Sequence, residues 1–277
     1  MTDTTRDWLT VRRGNAPLVI SLPHTGTIIP DAYATDLVSP WLARKDADWW
    51  IETLYDFAAG LDTTIVRTGI SRTVIDVNRD PSGMSLYPGQ ATTELCPTTT
   101  FDGQPLYRAG ALFSPQEIDK RYRAYFAPYH AALKAELNRL RTDHRAVVLY
   151  DCHSIRSTIP RLFEGELPNF NLGTNSGASC AEALTRGVEA ICDRTGFSRV
   201  TNGRFKGGYI TRSLGAPERG IHALQMELAC RGYMREPAAM PDESNWPTPY
   251  DPDFAAPMRA ALVDILTFCL VFARSHA

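Results

Sequence analysis

No long apolar run opens this chain. Its N-terminus, MTDTTRDWLTVRRG, has no stretch of signal-peptide type, so a cytoplasmic protein is expected. The most apolar segment, Ala260 to Ala273, is interrupted by Asp264 and is too short to span a bilayer; it reads as a buried helix. Charge of one sign is also lacking. The formal net charge is -2, which excludes a bulk pull toward nucleic acid or an anionic membrane. None of the cysteines (Cys96, Cys152, Cys180, Cys192, Cys230 and Cys269) forms a CxxC pair. That argues against a cysteine zinc cluster, and a chain of 277 residues needs no disulfide staples, so buried free thiols are expected. There is no GxSxG elbow, no P-loop and no GxGxxG. There is no internal repeat, no low-complexity tract and no clear linker, so residues 1–277 read as one domain. No feature of the sequence specifies an oligomeric state.

What is present is an ordinary globular composition, 44% hydrophobic, with enough apolar content for a sizeable core. Short, nearly continuous apolar runs recur at 18–22, 64–66, 74–77, 147–150 and 223–228, as expected of strands covered on both faces. Helical patterns lie between them. One covers 46–59. A second starts at Ser114, where Ser-Pro-Gln-Glu is a capping box with proline at the first helical position, and runs toward Arg141 with Pro128 kinking or splitting it. Two more cover 178–194 and 257–273. Strands alternating with helices predict an α/β fold with a mainly parallel sheet. The turn-rich stretches 80–110 and 156–177 are candidate walls of a pocket, because ligands in such folds sit beyond the carboxyl ends of the strands.

Several polar groups gather at those ends. His24 follows the run 18–22, and His153 follows the run 147–150. Two imidazoles joined by a carboxylate would suit zinc, although each histidine alone also reads as an ordinary hydrogen-bonded loop residue. The acid could be Asp46, Asp48 or Glu52, and spacing does not choose among them; acids in a first helical turn are also favoured by the helix dipole. Asn78 and Arg79 follow the run 74–77, and Arg72 lies just upstream. An arginine fork matches a carboxylate bidentately. Glu227 alternates with Met226 and Leu228 in an apolar strand, where an acid is costly without a partner or a purpose. It is a candidate general base, or else marks a strand with one solvated face. Lys206-Gly207-Gly208-Tyr209-Ile210-Thr211-Arg212 reads as a tight turn near a ligand or as a plain hairpin. Cys152 and His153 cannot form a dyad, because neighbours on a strand point to opposite faces.

SLPHTG, DADWW, SRTVIDVNRDPSG, LYDCHS, FKGGYITR and LQMEL, in this order over roughly residues 17 to 235, resemble the N-formylglutamate amidohydrolase family. That family is distantly similar to zinc carboxypeptidases and to the aspartoacylase group. The resemblance implies a three-layer α/β/α fold with a mixed eight-stranded sheet. It implies one Zn2+ held by His24, His153 and an acid, with Asp48 the best match and Asp46 the alternative. The HxxE pattern of the carboxypeptidases is broken here, since Thr27 stands three residues after His24. It further implies Glu227 as base, Arg72 on the oxyanion, and Asn78, Arg79, Tyr209 and Arg212 around a small dicarboxylate substrate. The implied reaction is hydrolysis of N-formyl-L-glutamate to formate and glutamate, as in histidine degradation. The alternatives are a zinc hydrolase of another N-acyl amino acid, such as N-formylaspartate, and a non-catalytic binding relative.

Overall fold

Short apolar runs covered on both faces build the centre of a mixed sheet. The structure is a computed structural model that describes residues 4–86, 89–111 and 113–275. Its strands are β1 (Thr4–Arg6), β2 (Leu9–Arg12), β3 (Leu18–Leu22), β4 (Thr64–Thr68), β5 (Val147–Ile155), β6 (Phe170–Gly173), β7 (Arg199–Thr201) and β8 (Ile221–Ala229). They lie in the order β1-β2-β4-β3-β5-β8-β6-β7. Strands β4, β3, β5 and β8 are mutually parallel; β1, β2 and β6 join their inward neighbours antiparallel, and β7 runs parallel to β6. Every residue of β3, β5 and β8 is buried, as continuous apolar strands require.

The helices are α1 (Asp31–Ala34), α2 (Ile51–Leu54), α3 (Pro115–Arg121), α4 (Ala127–Asp143), α5 (Glu182–Asp193), α6 (Tyr209–Leu214) and α7 (Pro252–Ser275). Alternation along the strands decides which layer each side chain enters. Ile20, Tyr150, Leu224, Met226 and Leu228 pack with α2, α5 and α7 on one face. Val19, Val147, Leu149 and Ala223 pack with α4 and α6 on the other. The expected α/β/α fold with an eight-stranded mixed sheet is therefore present. Helix α7 is long and apolar enough to cross a membrane by length and composition alone. Here Leu262, Ile265, Leu266 and Cys269 are fully buried in the core. Gly187 of α5 admits it closely, since a Cβ there would lie 1.9 Å from the Phe268 ring.

Three local expectations are corrected. Residues 74–77 form no strand but a buried irregular segment. Side chains meet its carbonyls and backbone its amides: Arg121 donates to Val74 O at 3.0 Å and His130 to Val77 O at 2.8 Å, while Asp76 N–H donates to Leu95 O at 2.8 Å. Residues 46–59 form no continuous helix, because Trp50 is left-handed at φ 62° and only Ile51–Leu54 are α-helical. Backbone groups there go to distant partners instead: Asp48 N–H donates to His24 O at 2.9 Å, and Tyr233 Oη donates to Trp49 O at 2.8 Å. The helix after Ser114, whose Oγ caps Glu117 N, is split near Pro128 as expected, by a π-turn at Tyr122–Phe126. That proline lacks the N–H that would continue the ladder. Finally, residues 209–214 form a helix rather than one arm of a hairpin.

Candidate functional site

The parallel register of β5 and β8 sets Asp151 beside Gln225 and His153 beside Glu227. All four side chains are buried and share one face, opposite Cys152 and Met226. His153 lies inside β5, two residues before its end, because the strand runs to Ile155 and not only to Tyr150. His24 lies two residues beyond β3, which neighbours β5. The Asp48 backbone bond to His24 O then carries the Asp48 carboxylate to the two imidazoles.

His153 Nδ1 is 3.1 Å from His24 Nδ1 and 3.2 Å from Asp48 Oδ2, and His24 Nδ1 is 3.8 Å from that same oxygen. The far nitrogen of each ring meets a carboxylate: His24 Nε2–H donates to Asp76 Oδ1 at 2.7 Å, and His153 Nε2–H donates to Asp151 Oδ2 at 3.0 Å. Those bonds select the tautomers that turn both Nδ1 lone pairs inward. Two facing lone pairs repel unless a proton or a metal cation lies between them. Asp48 Oδ1 is buried and makes no hydrogen bond among the described residues. One ligand atom from each of His24, Asp48 and His153 falls within 4.8 Å of the others. This donor set fits a divalent cation, with two imidazoles and one carboxylate backed by further carboxylates.

Charge in the pocket is balanced by arginine. Arg72 Nη2 donates to Asp76 Oδ2 at 2.6 Å, its Nη1 is 3.8 Å from Asp48 Oδ1, and its guanidinium lies under the Phe101 ring at 4.7 Å. Burial favours a neutral Asp76, but His24, Arg72 and Arg79 outweigh it and hold the carboxyl well below its usual range. Burial, followed by the nearby Arg72, lowers the His24 pKa. Burial also opposes charge on His153, yet Asp151 and Asp48 push its pKa well above that of a free imidazole. Glu227, pushed up by burial to about 7, lies against Gln225, whose Nε2 donates to Oε2 at 3.3 Å.

These groups line a cleft of about 560 Å³, its open mouth included. His24, Arg72, Asn78, Arg79, His153 and Glu227 all face it. Its walls come from residues 91–93, 101, 155 and 162, within or beside the two turn-rich stretches. Arg79 donates to Thr93 O at 3.1 Å and to Thr93 Oγ1 at 3.0 Å. Asn78 sits differently from expectation. Its Oδ1 accepts from Ile210 N–H at 2.8 Å and its Nδ2 donates to Asp151 Oδ2 at 3.4 Å, so it braces the carboxylate that holds the histidine.

Four sequence candidates are not brought into the cleft. Asp46 Oδ2 accepts from Phe101 N–H at 2.7 Å, and its Oδ1 faces Arg156 at 3.6 Å. Glu52 pairs with Arg67 at 2.8 Å, away from the cluster. Tyr209 packs on Phe126 and His130, and Arg212 donates to Gly207 O at 2.7 Å. The turn of α6 points both away from the lining. Asp76, Gln225, Phe101 and Arg204 were missed as site residues. Asp151 and His153 share a strand face by their spacing of two, a signal available in the sequence. Asp76 and Arg204 reach the site through irregular backbone that carries no period.

Gly208 couples this site to its support. A Cβ there would lie 2.4 to 2.6 Å from the Asn78 carboxamide. Gly208→Ala is expected to displace Asn78 and lower turnover by about 100-fold, the order of effect of a 1 Å misplacement, with a small change in thermal midpoint. Steady-state kinetics beside a melting curve would check this. Activity within threefold of the unaltered chain would show that Asn78 does not brace the site.

Comparisons with known proteins identify the family. A family model described as N-formylglutamate amidohydrolase matches residues 16–234. An N-formylglutamate deformylase of Pseudomonas aeruginosa is 45% identical over 269 residues, 97% of this chain and 98% of the relative. One from Pseudomonas putida is 43% identical over 265 residues, 95% of this chain and 96% of the relative. The crystal structure of an N-formylglutamate amidohydrolase from Ralstonia eutropha JMP134 shares the fold, with a TM-score of 0.78, 23% identity, and coverage of 98% of this chain and 99% of that one. With the matched region spanning every residue of the cluster and the cleft, the chain belongs to the N-formylglutamate amidohydrolase family.

Proposed function

We propose that this chain hydrolyses the formamide bond of N-formyl-L-glutamate to formate and L-glutamate, using one divalent cation, zinc foremost, held by His24, Asp48 and His153. The observation that carries this reading is the meeting, at one cleft, of that ligand set with Glu227 and three arginines. Full-length relatives named for the same reaction support it. A cation at these ligands would polarise a carbonyl oxygen and lower the pKa of a water at the site.

The chain's own residues do the rest. Glu227 takes a proton from the attacking water and returns it to the departing amine. Arg72, fixed by Asp76 and Phe101, presents positive charge to the developing oxyanion. Arg79, steadied by Thr93, holds a substrate carboxylate, and Asn78 keeps His153 in place. The six cysteines, all free and buried, fit a cytoplasmic setting.

The test is formate release from N-formyl-L-glutamate, N-formyl-L-aspartate and N-acetyl-L-glutamate. N-formyl-L-glutamate is expected to lead, with the aspartate homologue roughly 10- to 200-fold slower, since one methylene discriminates weakly. Turnover of another compound with none of N-formyl-L-glutamate would overturn the substrate assignment.

A pH dependence follows from Glu227. Burial raises its pKa to about 7, with Asp48 adding to the rise and His153, Arg72 and Arg79 opposing it. A cation at the ligands would pull it lower. The deprotonated form is the working base, so kcat/KM rises with pH and levels off. The midpoint is expected at or below about 7. A rate that instead falls across that range would exclude a carboxylate base.

A further inference from the structure

We propose that Arg204 binds the side-chain carboxylate of the substrate and so sets the preference for an acidic N-formyl amino acid; this rests on the reaction proposed above. Three arginines line the cleft, and they are not equivalent. Arg72 is committed to Asp76 at 2.6 Å and faces Asp48 at 3.8 Å. Arg79 lies 3.6 Å from Asp76, which itself touches His24. Both therefore belong to the end of the cleft that holds the ligand cluster.

Arg204 enters from another wall, on the loop between β7 and α6. Its Nε donates to Leu162 O at 2.8 Å and its Nη2 donates to Ala91 O at 2.8 Å. The guanidinium also lies 5.3 Å from the Phe205 ring centre. Two backbone carbonyls, one from each turn-rich wall, fix its plane. Such a preset fork favours a planar carboxylate and spares the cost of ordering a long side chain on binding.

Substrate chemistry divides the two carboxylates between the cations. The α-carboxylate is attached to the carbon that bears the scissile amide, so it must stay beside the cluster, where Arg79 lies. The side-chain carboxylate is three carbon–carbon bonds from that carbon and reaches toward the wall where Arg204 is held. Thr93, which receives Arg79, and Ala91, which receives Arg204, are two residues apart on the same segment. One wall thereby steadies both anchors. Arg212, the second carboxylate anchor expected from sequence, does not line this cleft.

The experiment compares kcat/KM for N-formyl-L-glutamate with that for N-formyl-L-glutamine, in the unaltered chain and in Arg204→Gln. These substrates differ only in the side-chain charge, so a misfolded fraction cancels in the ratio. Arg204→Gln is expected to lower the ratio by about 10- to 100-fold, mainly through KM, as loss of a charged hydrogen bond implies. Arg204→Lys is expected to recover part of it. A fall that is equal for both substrates would show that Arg204 only ties the two walls together, and would overturn the proposal; so would an unchanged ratio. Calorimetric binding of L-glutamate against L-glutamine separates this from the reaction itself. A chain that prefers L-glutamate yet releases no formate overturns the reaction, while loss of that preference in Arg204→Gln still supports the anchor.

Discussion

Glu227→Gln is expected to abolish nearly all formate release, lowering kcat by about 10²- to 10⁴-fold, the usual contribution of a positioned general base. Register places Glu227 beside His153, on the face opposite Met226, and no local sequence change can move it without shifting the whole strand. The substitution keeps shape and burial. The bond from Gln225 can persist, because Gly208 N–H holds Gln225 Oε1 at 2.7 Å and directs its Nε2 to position 227. Removing a buried carboxyl whose pKa stands at about 7 also takes away no strong ion pair. Metal content and melting temperature should therefore match those of the unaltered chain. A variant that keeps more than a tenth of the activity would assign the proton to another group.

The second large effect concerns the ligands. His153→Ala and Asp48→Ala are each expected to weaken metal binding by about 100-fold or more, since even residues behind metal ligands are worth 10- to 100-fold. Activity falls with the metal. Asp46→Asn is the informative comparison. Its oxygen can still accept from Phe101 N–H, and the structure gives it no role at the cluster. It should retain full metal content. Metal measured by emission spectrometry after dialysis would decide. Loss in Asp46→Asn with retention in Asp48→Ala would reverse the assignment of the acid.

Much of this site is legible in sequence, and the reason is local. Strands β3, β5 and β8 announce themselves as apolar runs, and alternation alone places His153 and Glu227 on the polar side of theirs. The sequence also puts His24 just beyond β3, where the structure has it, because the turn there is short. What it does not show is set by backbone that has no period. The segment 74–77 imitates a strand in composition, but donors from Arg121 and His130 satisfy it as a loop. The left-handed Trp50 ends the apparent helix around Asp48, so neither Asp46 nor Asp48 sits in a helical first turn. Arg212 and Arg204 look alike on paper. Only the turn into α6 decides that the first caps Gly207 and the second enters the cleft.

The account stands most directly on one sample measured three times. Formate release from N-formyl-L-glutamate would be followed as purified, after chelation and dialysis, and after return of one equivalent of zinc. The expected result is turnover with about one metal per chain, its loss on chelation, and its recovery on zinc addition, as a site of three buried ligands implies. Turnover that survives verified removal of the metal would contradict the account and leave His24, Asp48 and His153 without their proposed task.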